Sequence, residues 1–255
     1  MSLSHSPSIV TNGLILCLDP ANTKSYNTGV STTSLKDLVT GSTSTIINDF
    51  GYDTTSYGVP VLKLNTTTGA GGTAITSNGQ VQVVTQDLNT LAITSSFSVM
   101  FAAKKNFYGL AGNNFGNSQL FQGATNGYNT GWRITEPSSS TPGNIFSSMH
   151  RWTLGYNDID TALSVNDTSS STNRMCIVGF TVSSTTIFGF CNGTTNSRTG
   201  IGTYDSGTSQ PRISFTGAGA GSWNGLVGFF MIYNRTLSLA ELQQNYNALR
   251  GRYGL

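Results

Sequence analysis

The stretch Leu226-Val-Gly-Phe-Phe-Met-Ile-Tyr-Asn-Arg-Thr-Leu-Ser-Leu-Ala-Glu-Leu-Gln-Gln-Asn-Tyr-Asn-Ala-Leu-Arg-Gly-Arg252 decides the fold. Its first eight residues are apolar apart from one glycine and read as a buried strand. The residues after Asn234 carry the local signals of a short helix. Ser238 followed three residues later by Glu241 is a capping box, in which each side chain accepts a backbone N–H that the first turn leaves unpaired. Leu237 and Leu242 stand at the two staple positions. Leu239, Leu242, Tyr246 and Leu249 predict one apolar stripe. Arg250 and Arg252 fall where the macrodipole favours cations, and Gly251 is placed to end the helix. About three turns of helix are marginal in isolation, so this one must dock on a sheet or on a neighbour.

Working back from that end, the chain reads as short strands between Gly/Asn turns. Gly13 to Leu18 predicts a buried strand stopped at Asp19-Pro20, since proline cannot donate to a ladder. Residues 22–45 read as loop anchored by Leu35 and Leu38. Val59 to Leu64 and Gln80 to Val84 alternate. Ser96 to Ala103 alternates most clearly, with Phe97, Val99, Phe101 and Ala103 on one face and Ser96, Ser98, Met100 and Ala102 on the other. That pattern predicts a half-buried strand. Gln119–Gln122, Gly131–Thr135, Asn144–Met149 and Arg212–Thr216 are further strand candidates. Arg174–Val182 and Thr185–Cys191 predict a hairpin, and a two-residue turn at Ser183-Ser184 would set Cys176 opposite Cys191. Asn192-Gly193 is a strong turn dipeptide. Residues 155–173 read as a long loop, a length that usually signals function. Many short strands with one terminal helix imply a two-sheet sandwich or jelly roll. The expected organisation is a polar arm at residues 1–12 and one domain at 13–255.

Composition narrows the function classes. The chain has 255 residues, enough to bury a sizeable core, and 13 Phe with 10 Tyr to fill it. Only 9% of residues are charged and the formal net charge is +2. No Lys/Arg block exceeds Lys104-Lys105, which argues against phosphate neutralisation and nucleic acid as a partner. No basic amphipathic helix suggests a membrane surface, and no apolar stretch approaches the roughly 18 residues of a membrane span. The start lacks a charged n-region and an apolar h-region, so no secretory signal is expected. Cys17, Cys176 and Cys191 are sparse and odd in number, suiting buried thiols in a reducing compartment.

The order of motifs resembles the concanavalin A-like, laminin-G-like jelly-roll domains of bacteriophage virion structural proteins. Gly13-Leu-Ile-Leu-Cys-Leu-Asp-Pro-Ala-Asn22 with Ser25-Tyr26 is similar to that family's first strand, and Ser96-Phe-Ser-Val-Met-Phe101 to its central strand. Ile187-Phe-Gly-Phe-Cys-Asn-Gly193 is similar to its aromatic-x-Asn-Gly turn. Gly225 to Leu242 is similar to its closing strand, Tyr-Asn-Arg turn and Leu-Ser-x-x-Glu helix, the most specific piece. Two departures stand out. Met175 occupies a position where relatives carry Trp, and Leu64-Asn65-Thr66 replaces a Phe-Asp-Gly, which removes an acidic side chain from a calcium-type position. The resemblance implies an all-β fold, a two-sheet antiparallel jelly-roll sandwich of concanavalin A type with one short C-terminal α-helix.

Chemistry-bearing residues are few. Glucanases of this fold align several carboxylates on one strand, because alternation aims them into one cleft. This chain has two glutamates, Glu136 before Pro137 and the capping Glu241. His5 and His150 are the two histidines; His5 lies in the polar arm, and His150, beside Arg151 and Trp152, reads as a surface or hydrogen-bonded residue rather than a catalytic base. The glycine runs Gly69–Gly72 and Gly217–Gly221 lack the strand-then-helix setting of a phosphate cradle. No enzyme is expected. Asn157, Asp158, Asp160 and Asp167 could offer oxygens to a hard cation such as Ca2+, against the plainer reading of a polar loop. Trp152, Tyr156, Tyr128 and Trp132 could stack on sugar faces, Trp132 and Trp223 reading better as core.

The leading expectation is a non-enzymatic virion protein, made in the host cytoplasm, that decorates a bacteriophage capsid or another exposed virion part. Its partners would be other virion proteins and further copies of itself in a homo-oligomer. The alternative is a carbohydrate-binding adhesin of a tail fibre or baseplate recognising host polysaccharide. Fold alone does not choose between them.

Overall fold

The structure, a computed structural model, describes residues 7–26, 34–47, 50–64, 80–82, 96–105, 117–123, 132–137, 148–152, 156–159, 175–184, 186–199, 212–213 and 225–255. Among them are β1 (Leu14–Leu18), β2 (Ser34–Lys36), β3 (Thr43–Ile47), β4 (Phe50–Asp53), β5 (Val61–Leu64), β6 (Gln80–Gln82), β7 (Phe97–Lys105) and β8 (Asn117–Gly123). There follow β9 (Trp132–Pro137), β10 (Ser148–Trp152), β11 (Tyr156–Ile159), β12 (Cys176–Val182), β13 (Thr186–Cys191), β14 (Thr194–Thr199), β15 (Arg212–Ile213), β16 (Gly225–Tyr233) and helix α1 (Leu239–Leu249). A 3₁₀ turn, Arg250–Tyr253, closes the chain.

All pairings are antiparallel and fall into two sheets. The first runs β14-β13-β12-β7-β16-β5-β4, with β1 also on β16; the second runs β11-β10-β9-β8-β15-β6-β3-β2. The result is the expected all-β sandwich with one short C-terminal helix.

Register sorts the first sheet into two faces. Val99, Phe101, Val178, Phe180, Phe230 and Ile232 share one face, with Leu16 and Leu18 of β1, and all are buried. The opposite face holds Met100, Ala102, Ile177, Met231 and Tyr233, which join Leu237, Leu242, Leu249 and Tyr253 in one apolar cluster. β7 is therefore buried on both sides, not half-buried as its alternation suggests. Met100 and Ala102 are 0% exposed because the C-terminal helix lies over them. Two glycines make that approach possible. A Cβ on Gly179 would stand 3.0 Å from Leu242 Cδ2, and one on Gly228 would lie inside contact distance of the Tyr253 ring and hydroxyl.

Polar bonds fix the helix in place. The capping box is formed as expected, with Ser238 as N-cap and Glu241 at its third position. Arg235 donates to both Glu241 carboxylate oxygens and to the Asn12 carbonyl. Buried Ser98 accepts the Leu237 N–H at 2.8 Å and donates to the Arg235 carbonyl at 2.8 Å. A closed triangle joins three distant segments: Val10 N–H donates to Asn245 Oδ1 (2.7 Å), Asn245 Nδ2 donates to Tyr233 (3.1 Å), and the Tyr233 hydroxyl donates to the Val10 carbonyl (3.0 Å). Residues 8–12, inside the stretch read as a polar arm, are thus bonded to β16 and α1.

Several details differ from the sequence reading. Leu239 is 51% exposed, and the stripe position next to Leu242 goes to the fully buried Asn245. Helix sense ends at Arg250, and the left-handed residue that stops the chain is Gly254 (φ 69°), not Gly251, because a 3₁₀ turn intervenes. Arg252 bonds Asp19 at 2.7 Å instead of serving only the dipole. The β12–β13 connection is longer than two residues, since Val182 opposes Ile187 and Ser183 N–H donates to the Thr186 carbonyl. That two-residue offset pairs Cys191 with Val178 and Cys176 with Ala103, so the two thiols do not face each other. All three cysteines are buried thiols. Asn192 (φ 46°) and Gly193 (φ 94°) form the expected tight turn, joining β13 to β14 with Cys191 opposite Thr194. Residues 22–45 contain β2 and the start of β3. The described part of the candidate strand at Asn144–Met149 falls in β10, and the described part of the expected loop at 155–173 is β11; the rest of both lies outside the described residues.

Two outcomes are expected. Asn245→Ala orphans the buried Val10 N–H and opens a hole, at a cost of about 2–4 kcal/mol in a denaturant titration; a loss under about 0.5 kcal/mol contradicts the triangle's role. Arg235 and Ser238 hold the Glu241 carboxyl down at about 2, against an ordinary 4.5. Its contribution is then complete above about pH 4.5 and lost as pH falls toward 2. The melting-temperature gap between wild type and Glu241→Gln, open at pH 7, should close over that window; a gap independent of pH contradicts the assignment.

Candidate functional site

The second sheet has one apolar face, and the register shows it as an unbroken ladder. Ile46 opposes Val81, Val81 opposes Ile213, Ile213 opposes Phe121, Phe121 opposes Ile134, Ile134 opposes Met149 and Met149 opposes Ile159. Leu35 and Ser44 lie on the same face at the β2–β3 end, and both are buried. Lys36 and Thr43, opposed on the alternate face, are exposed. At the β2–β3 end these four residues separate a buried, inner face from an exposed, outer one, and the pairing assigns each position of the other strands to one register side or the other.

That outer face carries a polar row. Ser34 opposes Thr45, Thr45 opposes Gln82, Gln82 opposes Arg212, Arg212 opposes Gln122 and Gln122 opposes Arg133. Thr135, two along from Arg133, opposes Ser148. His150, two along from Ser148, opposes Asp158, and at the end of the same strands Trp152 opposes Tyr156. Period-two alternation therefore places Trp152, Tyr156, His150 and Asp158 on the outer face with Arg133 and Gln122.

The candidate residues separate accordingly. Trp152 and Tyr156 form a cross-strand pair on the outer face of the edge hairpin β10–β11. Trp132 opposes Gly123 and is two along from Ile134, so it shares the inner, apolar face and is not brought to that pair. Asn157 opposes Arg151 while Asp158 opposes His150, so these two neighbours occupy opposite faces of β11. Only one of them can serve a cation site on either face. Among the described residues no group of three His, Cys, Asp or Glu stands where it could hold a metal. Tyr128, Asp160, Asp167, Trp223, His5 and the runs Gly69–Gly72 and Gly217–Gly221 lie outside the described residues. The row Gln82–Arg212–Gln122–Arg133 is the part that sequence reasoning missed. Its members are spread over 130 positions, and only strand order brings them together.

Elsewhere, a cavity of about 320 Å³ lies between residues 7–9, β1, β16 and the end of α1. Its polar lining includes Cys17, Asp19 and Arg252. Burial, then the charges of Asp19 and Asp37, push the Cys17 thiol up to about 12, so it stays protonated and unreactive near neutral pH. The two glutamates are apart: Glu136 is on β9 of the second sheet, and Glu241 is ionised at the start of α1. No helix among the described residues is long and apolar enough to cross a membrane.

No protein-family model and no curated protein matches the chain. Among solved structures it is similar to the binding domain of botulinum neurotoxin DC in complex with SialylT (TM-score 0.62, 16% identity, 93% of this chain and 52% of that one). It is also similar to a structure of botulinum neurotoxin type C, a toxin whose cell entry is described as dependent upon interaction with two ganglioside molecules (TM-score 0.62, 17% identity, 94% and 52%). A third is the binding domain of Paraclostridial Mosquitocidal Protein 1 (TM-score 0.59, 16% identity, 92% and 52%). The chain spans about half the length of these structures, and at such identities the likeness is one of fold.

Proposed function

We propose that this chain is a non-enzymatic recognition module that binds host-surface polysaccharide on the outer face of its second sheet. The observation that carries the proposal is the Trp152–Tyr156 pair, set opposite one another on that face at the sheet's edge. Paired aromatic rings offer large flat surfaces for the apolar faces of sugars. The amides and guanidiniums of the neighbouring row are the groups that read hydroxyls and acidic substituents. The fold neighbours described as binding domains, with SialylT and gangliosides among their ligands, support recognition over decoration. The separation of Glu136 from Glu241 supports a role without hydrolysis.

Within the same proposal the module belongs to a tail fibre or baseplate of a bacteriophage. The support is the resemblance of Gly225–Leu242 to the closing motif of virion jelly rolls. Decoration of a capsid is the second reading, and it rests on that resemblance alone.

A glycan array probed with the wild-type chain should return a defined set of polysaccharide ligands. Trp152→Ala and Tyr156→Ala should each weaken them by roughly tenfold or more at unchanged melting temperature. Trp132→Ala, on the inner face, should lower the melting temperature. An array blank for the wild type, or ligands indifferent to Trp152→Ala, contradicts the proposal.

A further inference from the structure

We infer that the cavity between residues 7–9, β1, β16 and the end of α1 is a second ligand site, which takes a short alkyl carboxylate with its chain inside and its head on Arg252. The site belongs to the first sheet and does not depend on glycan binding by the second. At about 320 Å³ it falls at the lower end of the roughly 300–1,000 Å³ typical of small-molecule sites. Phe229, Met231 and Leu249 line it and are buried, and the part-buried Ile9 and Leu38 extend that apolar lining. An alkyl chain is the matching occupant of such a surface. Arg252 and Asn22 are the more exposed members of the lining, which sets the polar head toward solvent.

The identity of the head follows from a count of donors and acceptors. The carboxylate and amide oxygens that line the cavity are engaged. Asp19 Oδ2 accepts from Arg252 Nη1 at 2.7 Å, Asp19 Oδ1 from the Ala21 N–H at 3.1 Å, and Asn22 Oδ1 from the Lys24 N–H at 3.0 Å. Donors are left over. Among the described residues Arg252 Nε and Nη2 and Asn22 Nδ2 have no acceptor. Nε and Nη2 form one edge of the guanidinium, and a carboxylate matches that edge with two parallel bonds. Asp19 is a positioning residue. It is buried, its backbone N–H donates to Ser25 Oγ at 3.1 Å, and its hold on Nη1 fixes the guanidinium before a ligand arrives. An alkylammonium would bring donors alone and meet the Arg252 charge, and an alcohol would satisfy only one of the two open N–H groups.

The test titrates the full chain with butanoate, hexanoate and octanoate, and with octanol and octylammonium, by calorimetry, and locates the ligand from NMR shifts of the backbone amides at residues 8–9 and 248–252. Affinity should rise by about two- to fourfold per methylene until the cavity is full. Octanoate should bind about tenfold more tightly than octanol or octylammonium and shift those amides. Ala248→Phe, which fills the cavity and leaves the Asp19–Arg252 pair in place, should abolish octanoate binding with the fold intact by circular dichroism. Arg252→Gln should bring the ratio of octanoate to octanol affinity to about one. If that variant unfolds because Asp19 is left buried without its partner, Asp19→Asn/Arg252→Gln removes both charges and is read for the same ratio. No binding of octanoate, octylammonium binding as tightly as octanoate, shifts confined to other regions, or binding indifferent to Ala248→Phe overturns the inference. Either result leaves the glycan array of the second sheet to be judged separately.

Discussion

The fold depends on burying the central strands of the first sheet on both faces. β7 and β16 have apolar residues on either side, and one sheet partner can cover only one of them. The C-terminal helix supplies the second cover. It reaches the sheet because Gly179 and Gly228 clear the way for Leu242 and Tyr253. It is held there by the triangle of Val10, Tyr233 and Asn245, in which each buried polar group has a partner. A half-satisfied network at that depth would cost more than an apolar one, so residues near both chain ends are tied to the same sheet.

This covering sets the two sheets apart. The first is closed on one side by its sister and covered on the other by α1. The second has an apolar ladder at one set of register positions and a polar row at the alternate set.

Legibility from sequence followed the range of the interaction. The capping box, staple and Asn192-Gly193 turn were readable because their chemistry is local. The double burial of β7 was not, since Met100 and Ala102 alternate with Phe and Val in a way that suits one buried face equally well. β2, β3, β4 and β14 are rich in Ser, Thr, Asn and Gly or very short, so their tertiary pairing outweighs weak local preference. A two-residue error in one turn misplaced Cys176, as a register slip must. Trp132 and Trp152 look alike in sequence, and only the strand register assigns them to alternate positions of the second sheet. Asn245 in an apolar stripe had no local signal, because its partners lie on β16 and 235 positions away at Val10.

Native-state hydrogen exchange across α1, β7 and β16 tests this account most directly. If the helix is an integral cover of the sheet, the slowest amides of all three elements exchange through one global opening, with equal opening free energies and equal dependence on denaturant. Helix amides that exchange through a separate, much lower-energy opening while β7 and β16 stay protected would show that the sheet stands without its cover, and the account would fail.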